Sequence, residues 1–184
     1  IRAPTEAYDG LYANNKDNLL GAFAFSMLAD TYESVAALEQ AMEGAGDVVR
    51  SFRPVKERLE QLQKLDATAV GKPFTDFDGI DYATGEPTTL GAMIEGRLAL
   101  VDVWASWCGP CRAAIRDHLI DIHKQYAAKG LLVVGVDVND KAENHAKAVA
   151  DLGITYPQRI DSSAVCCGIY GITGIPHIML IAPD

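Results

Sequence analysis

Cys108 and Cys111 bracket a Gly-Pro pair in the stretch WASWCGPCRAAI, directly after the apolar run LALVDVW. The chain holds only four cysteines, so half of them are committed to this one turn. Where a strand gives way to a helix, residues i and i+3 share a face, within reach of a disulfide bond. The unpaired N–H groups of the first turn and the positive end of the helix dipole stabilise a thiolate at Cys108. That lowers its pKa and raises the reactive fraction near neutrality. Pro110 is tolerated because a first-turn nitrogen has no intrahelical acceptor to lose, and Gly109 leaves room for a partner's backbone. The chemistry such a pair performs is thiol–disulfide exchange.

Two other uses share the spacing: half of a zinc site, and a static structural disulfide. The remaining cysteines, Cys166 and Cys167, are adjacent and ill suited to present both sulfurs to one tetrahedral metal. A link across three residues closes almost no loop and so stabilises little. CxxC after a strand in a βαβ setting therefore points to redox work with no metal and no added cofactor. Asp102 is the single charge inside LALVDVW. A carboxylate buried in a strand is costly unless used, and burial raises its pKa towards that of a proton acceptor for Cys111. The alternative is a strand-end aspartate bonded to backbone.

The elements that must position these groups follow from patterning. Residues 1–66 read as a helical segment. NLLGAFAFSMLADTY is a buried helix with Asp17 or Asn18 as N-cap, and ESVAALEQAMEGAG is a second, stopped by Gly44 and Gly46. SFRPVKERLEQLQKL is a third, with Ser51 as cap, Pro54 in the first turn and Val55, Leu59, Leu62 and Leu65 in one stripe. Residues 67–184 change character. FTDFDGIDYATGEPTTL reads as two short strands joined at Ala83-Thr84-Gly85, then a short helix near Leu90–Ile94. LALVDVW and LLVVGVDV are buried strands separated by a long helix that ends at Gly130. KAENHAKAVADLG is a further helix, SSAVCCGIYG a short helix or turn, and IPHIMLIA a third strand. Strands alternating with helices give an α/β layer fold.

The composition is that of an ordinary globular chain, 49% hydrophobic and 22% charged. A formal net charge of -9 with no basic block argues against nucleic acid and anionic lipid as partners. No apolar stretch approaches the roughly 20 residues of a membrane span. The chain begins at Ile1 without a signal-peptide pattern, as expected of a mature or excised form.

LVDVWASWCGPCR resembles the thioredoxin active-site segment, and YGITGIPHIML resembles the loop that carries that fold's cis-proline. VGKPFTDFDGIDYATGEPTTL resembles the extra N-terminal hairpin of the TlpA-like thiol–disulfide oxidoreductases of bacterial envelopes. The helices before it resemble the end of the N-terminal domain of many Bacteroidetes members. The resemblance implies a thioredoxin-like mixed sheet flanked by helices. It makes Cys108 the exposed attacking thiolate, Cys111 the buried resolving thiol and Asp102 the buried acid. It puts Pro176 in cis beside the disulfide, lets the Ile175 backbone pair with an extended substrate, and sets Trp104 and Trp107 beside the motif. Implied partners are disulfide-containing proteins and an upstream thiol reductant, in the periplasm or cell envelope. A thiol peroxidase on the same fold, or a binding module with an inert scaffold, are the alternatives.

Ala114 and Arg116 stand where TlpA-like members usually carry glutamate and proline, which leaves Asp102 to tune Cys111 alone and removes a reason for the helix to kink. The family continues beyond LIAPD with another strand and helix. Truncation is therefore expected, with an unpaired edge and an uncovered apolar face on IPHIMLIA. Of Cys166 and Cys167, one should face the core and the other outwards. His177, after the proline, reads as a packed residue near the site.

Overall fold

The computed structural model describes residues 5–161 and 163–183. The chain divides into two compact units, Ile1–Pro73 and Phe74–Asp184.

The first unit is helical: α1 Thr5–Ala13, α2 Leu19–Ala29, α3 Val35–Ala41, α4 Asp47–Arg50 and α5 Arg53–Ala67. Asn18 caps α2, its carboxamide oxygen accepting the N–H groups of Leu20 and Gly21 at 3.0 and 3.1 Å. Helix α5 starts without a side-chain cap, behind Phe52. Ser51, the expected cap, instead donates from its hydroxyl to the Asp47 carbonyl at 2.6 Å, which closes the unanticipated turn α4. Helix α2 is not buried all round. Ala22, Phe25 and Leu28 enter the core, but Leu19 and Phe23 stay 70% and 52% exposed. A helix apolar on every face offers more surface than a few short neighbours can cover.

The second unit is a mixed sheet with helices: β1 Asp78–Asp81, β2 Pro87–Thr89, α6 Leu90–Ile94, β3 Ala99–Trp104, α7 Gly109–Ala114, α8 Ile120–Tyr126, β4 Leu132–Val138, α9 Ala142–Leu152, β5 Gln158–Asp161, α10 Val165–Tyr170 and β6 His177–Ile181. The six-stranded sheet runs β2-β1-β5-β4-β3-β6. Strands β3, β4 and β5 are parallel, while β1 and β6 join antiparallel. This is the α/β layer that the alternation of strands and helices predicts.

Strand β3 has a neighbour on each edge and alternates its side chains between two cores. Val101 and Val103 pack with Leu90, Val134 and Val136 on one face. Trp104 packs with Cys108, Cys111, Ile115 and Leu119 on the other. Asp102, in step with Trp104, belongs to that second face.

Two features depart from expectation. Strand β5 was not anticipated, because its residues Gln158, Arg159 and Asp161 are polar yet buried. Arg159 donates to the Thr88 carbonyl across the hairpin. The helix after the cysteines is not uniform: Ile115–Leu119 between α7 and α8 is π-helical, with the Ile120 N–H donating to the Ile115 carbonyl. The wider turn keeps both Ile115 and Leu119 buried against the sheet. The helical path ends in a 3₁₀ turn, Ala127–Lys129, and a left-handed Gly130 at φ 98°. Strand β6 forms one border of the sheet, as expected, with Ile178 and Leu180 47% and 66% exposed.

Gly135 on β4 sits between Asp102 on β3 and Gln158 on β5. A Cβ at that position would run into the Gln158 amide. Gly135→Ala is expected to destabilise the unit by about 1–3 kcal/mol through overpacking. Denaturant unfolding checks this; an unchanged midpoint would show that Gln158 can move freely.

Candidate active site

The end of β3 delivers Ala105–Trp107, and α7 begins immediately after. Cys108 and Cys111 are joined by a disulfide with Cα atoms 5.3 Å apart. The Cys108 sulfur caps α7, accepting the Cys111 N–H at 3.2 Å. The same bond is available to a thiolate, which it favours over the neutral thiol.

Cys111 is fully buried and Cys108 is 5% exposed. Cys111 is buried as expected, but Cys108, expected to be exposed, is buried as well. In the disulfide form it lies almost flush, pressed against the Ile175 carbonyl oxygen at 3.7 Å. The Ile175–Pro176 peptide is cis. Around the sulfur, Trp107, Gly109, Pro110 and Pro176 are exposed. Of the residues singled out from the sequence, these four are exposed near the nearly buried disulfide, whereas Asp102 and Trp104 lie inside the fold. His177 is half-buried, and burial holds its imidazole below the ordinary value.

Asp102 is 0% exposed. Among the described residues neither carboxylate oxygen has a hydrogen-bond partner, which speaks against a strand-end aspartate bonded to backbone. Burial pushes its pKa from 3.8 up to about 7. Nearby Tyr156 is also pushed up, first by burial and then by the charge on Asp102.

Several supports were not visible in the sequence. Trp104 donates its indole N–H to Gln158 Oε1 at 3.0 Å. Trp107 donates to the Asn139 carbonyl at 3.0 Å. The Ser106 N–H donates to Asp140 Oδ2 at 2.6 Å. Burial raises the Asp140 carboxyl, but the bonds from Ser106 and Lys141 outweigh it and hold the group below the ordinary range. Behind this loop His145 Nδ1 lies 3.3 Å from Asp137 Oδ1, both residues wholly buried. The imidazole is walled by the rings of Tyr82 and Trp104 at 4.9 and 5.2 Å. Asp137 stands between two valines near the end of β4, and Asp140 lies in the loop just after it; neither pattern says what the carboxylate bonds.

A mixed sheet with an interior strand that leads into a paired-cysteine turn, facing a cis-proline loop, defines a thioredoxin-fold protein. The AhpC/TSA family pattern matches residues 70–184, and the chain belongs to that family. The thiol:disulfide interchange protein CycY of Rhizobium leguminosarum bv. viciae is 34% identical over 100 residues, covering 53% of this chain and 51% of that protein. The thiol:disulfide interchange protein DsbE of Escherichia coli K12 is 28% identical over 120 residues, covering 64% and 62%. The chain thus spans between half and two thirds of these relatives. Among solved structures, the thioredoxin domain of a thiol-disulfide oxidoreductase from Bacteroides vulgatus aligns with a TM-score of 0.57 at 28% identity, over 62% of this chain and 82% of that one. A thiol:disulfide interchange protein from Bacteroides sp. aligns with a TM-score of 0.56 at 28% identity, over 62% and 76%.

The raised pKa of Asp102 carries a stability consequence. Its carboxyl binds a proton more tightly folded than unfolded, so its contribution is most favourable below pH 3.8 and is lost as pH rises through about 7. Asp102→Asn should therefore gain stability relative to the parent between pH 4 and pH 8, by up to roughly 4 kcal/mol. Urea unfolding of both forms at the two pH values measures this. An equal difference at both would mean that the carboxylate is solvated or paired.

Proposed function

We propose that the chain reduces protein disulfides by dithiol exchange. The observation that carries this reading is the Cys108–Cys111 disulfide at the start of α7, with the Ile175 carbonyl 3.7 Å from the Cys108 sulfur. In the dithiol form the Cys108 thiolate attacks one sulfur of a substrate disulfide, forms a mixed disulfide and expels the other sulfur as a thiolate. Cys111 gives up its proton, attacks Cys108 and releases the reduced substrate, which restores the disulfide. Asp102, on the Cys111 face of the sheet, accepts that proton directly or through a water; its pKa near 7 suits the transfer at neutral pH. No cofactor is needed beyond the dithiol, which an upstream thiol reductant regenerates.

The Ile175 backbone pairs with an extended segment of the substrate, and Trp107, Gly109, Pro110 and Pro176 form the surface against which it lies. The Gly-Pro spacer supports the reducing direction, with a midpoint near roughly -270 mV rather than the about -120 mV of strong oxidants. A place in the cell envelope rests on the resemblance to the TlpA-like hairpin, and the relatives named as thiol:disulfide interchange proteins support disulfides as substrates. Pairing of Cys108 with Cys111 supports exchange over the peroxidase alternative, in which a lone cysteine would meet the peroxide.

Cys108→Ser should abolish reduction of a protein disulfide. Cys111→Ser should instead accumulate a mixed disulfide through Cys108, visible by intact mass. Titration of Trp107 fluorescence in dithiol buffers should give a reversible transition near the reducing midpoint. A disulfide that never opens would make the unit a scaffold.

A further inference from the structure

A second pair of sulfurs lies outside the active-site disulfide. Cys166 and Cys167 are free thiols at the start of α10. Their sulfurs are 4.0 Å apart, within hydrogen-bond range for sulfur. Their surroundings differ sharply. Cys166 is 0% exposed and packs into the core with Leu90 and Val136, whereas Cys167 is half-buried at its margin. The arrangement is held from below: the Asp161 carboxylate accepts the N–H groups of Val165 and Cys166, each at 2.9 Å. One sulfur is thus fixed in apolar surroundings where its S–H can serve its neighbour, and the other reaches the surface.

We propose that Cys167 is a second thiol-exchange site, at which its thiolate attacks a small organic disulfide while the Cys166 S–H stabilises that thiolate. Attack breaks the S–S bond of the small disulfide, forms a Cys167–S–S–R bond and expels RS⁻. The proton that Cys167 released goes to the expelled thiolate where that is basic, and to the buffer where, as with an aromatic thiolate, it is not. One disulfide replaces another, so no net oxidant is consumed. The contact with Cys166 holds the Cys167 thiol below its ordinary pKa, against burial and the nearby Asp161 charge. The same contact and burial push Cys166 up, so it keeps its proton.

The product stops at the mixed disulfide. Adjacent Cα atoms are about 3.8 Å apart, below the roughly 4.4 Å at which unstrained disulfides begin. Ring closure would also oppose the turn held by the Gly168 N–H to Ala164 carbonyl bond, 3.2 Å. The site adjoins the active surface: the Cys167 carbonyl accepts the Ile172 N–H at 3.0 Å, at the root of the segment leading to Ile175.

The test keeps Cys108–Cys111 as the disulfide, so that only Cys166 and Cys167 can react. The probe is an aromatic disulfide that releases a coloured thiolate, with peptide mass locating the adduct. One fast equivalent on Cys167 is expected, lost in Cys167→Ser. Its pH–rate midpoint should fall below the ordinary thiol value of about 8.5. Cys166→Val, which removes the donor without leaving a large cavity, should slow labelling roughly threefold for each unit the pKa recovers. The thiolate fraction falls tenfold per unit while nucleophilicity partly compensates. Cys166→Ser, which keeps an O–H donor, should recover most of the rate. Label on Cys166, no label before denaturation, or a parent midpoint at or above the ordinary thiol value would each overturn the proposal. The pH–rate profile of the parent decides the matter even where a Cys166 variant fails to fold. Loss of disulfide reductase activity in Cys108→Ser has no bearing on these readouts.

Discussion

Strand β3 carries an ionisable side chain at its centre, and the packing around that strand sets its acidity. Its edges are occupied by β4 and β6, and its faces by two separate cores that meet across the sheet. Apolar side chains on both faces give the strand its place in the sheet, and they shut Asp102 off from bulk solvent, which raises its pKa above that of an ordinary carboxylate. Cys108 leaves the end of this strand, so the same rigid element fixes the disulfide and the acid that shares its face. A strand exposed on one side would have kept the geometry and lost the altered acidity.

The loop that follows β3 is held from three directions. Asp140 takes the Ser106 N–H, the Asn139 carbonyl takes the Trp107 indole, and Ile175 approaches the Cys108 sulfur from the loop that precedes β6. Asn139 adopts a left-handed backbone at φ 52°, uncommon for a residue with a side chain, and its carbonyl receives Trp107. These supports arise from segments far apart in sequence. They anchor the motif on both sides while leaving Gly109 and Pro110 exposed for a partner.

Much of this was legible beforehand, for physical reasons. The long apolar runs of β3 and β4 admit only doubly buried strands, Asn18 sits where an orphan N–H must be met, and CGPC at a strand-to-helix junction carries its own chemistry. Strand β5 was illegible because its buried residues are Gln158, Arg159 and Asp161, which tolerate burial through specific partners such as the Thr88 carbonyl and the α10 N–H groups. Those partners lie far away in sequence or within a turn that periodicity does not reveal. Helix α2 misled in the opposite sense, since uniform apolarity does not disclose which face finds a neighbour. At the site, the cysteines and Asp102 could be named from residue type and order, and the Ile175–Pro176 pair only from the resemblance of YGITGIPHIML to a cis-proline loop. The Asp137–His145 pair and Asp140 could not, because a lone histidine on a helix and aspartates near a strand end have too many ordinary roles.

In the proposed reaction, burial of the disulfide makes the location of protons decisive. Cys111 is wholly buried, so the proton it sheds on attack is best received within the fold. Tyr156 is a poor recipient, because burial and the neighbouring Asp102 charge make its phenol hold its own proton firmly. His145 is engaged with Asp137 behind Trp104 and faces Tyr82. Asp102 combines a position on the Cys111 face with a pKa near 7, so it is divided between both protonation states at neutral pH. Such a group can accept a proton from one thiol and surrender it without a large free-energy step in either direction. The absence of a glutamate at Ala114 then leaves the exchange dependent on one internal carboxylate, whose acidity is set by how well β3 is covered.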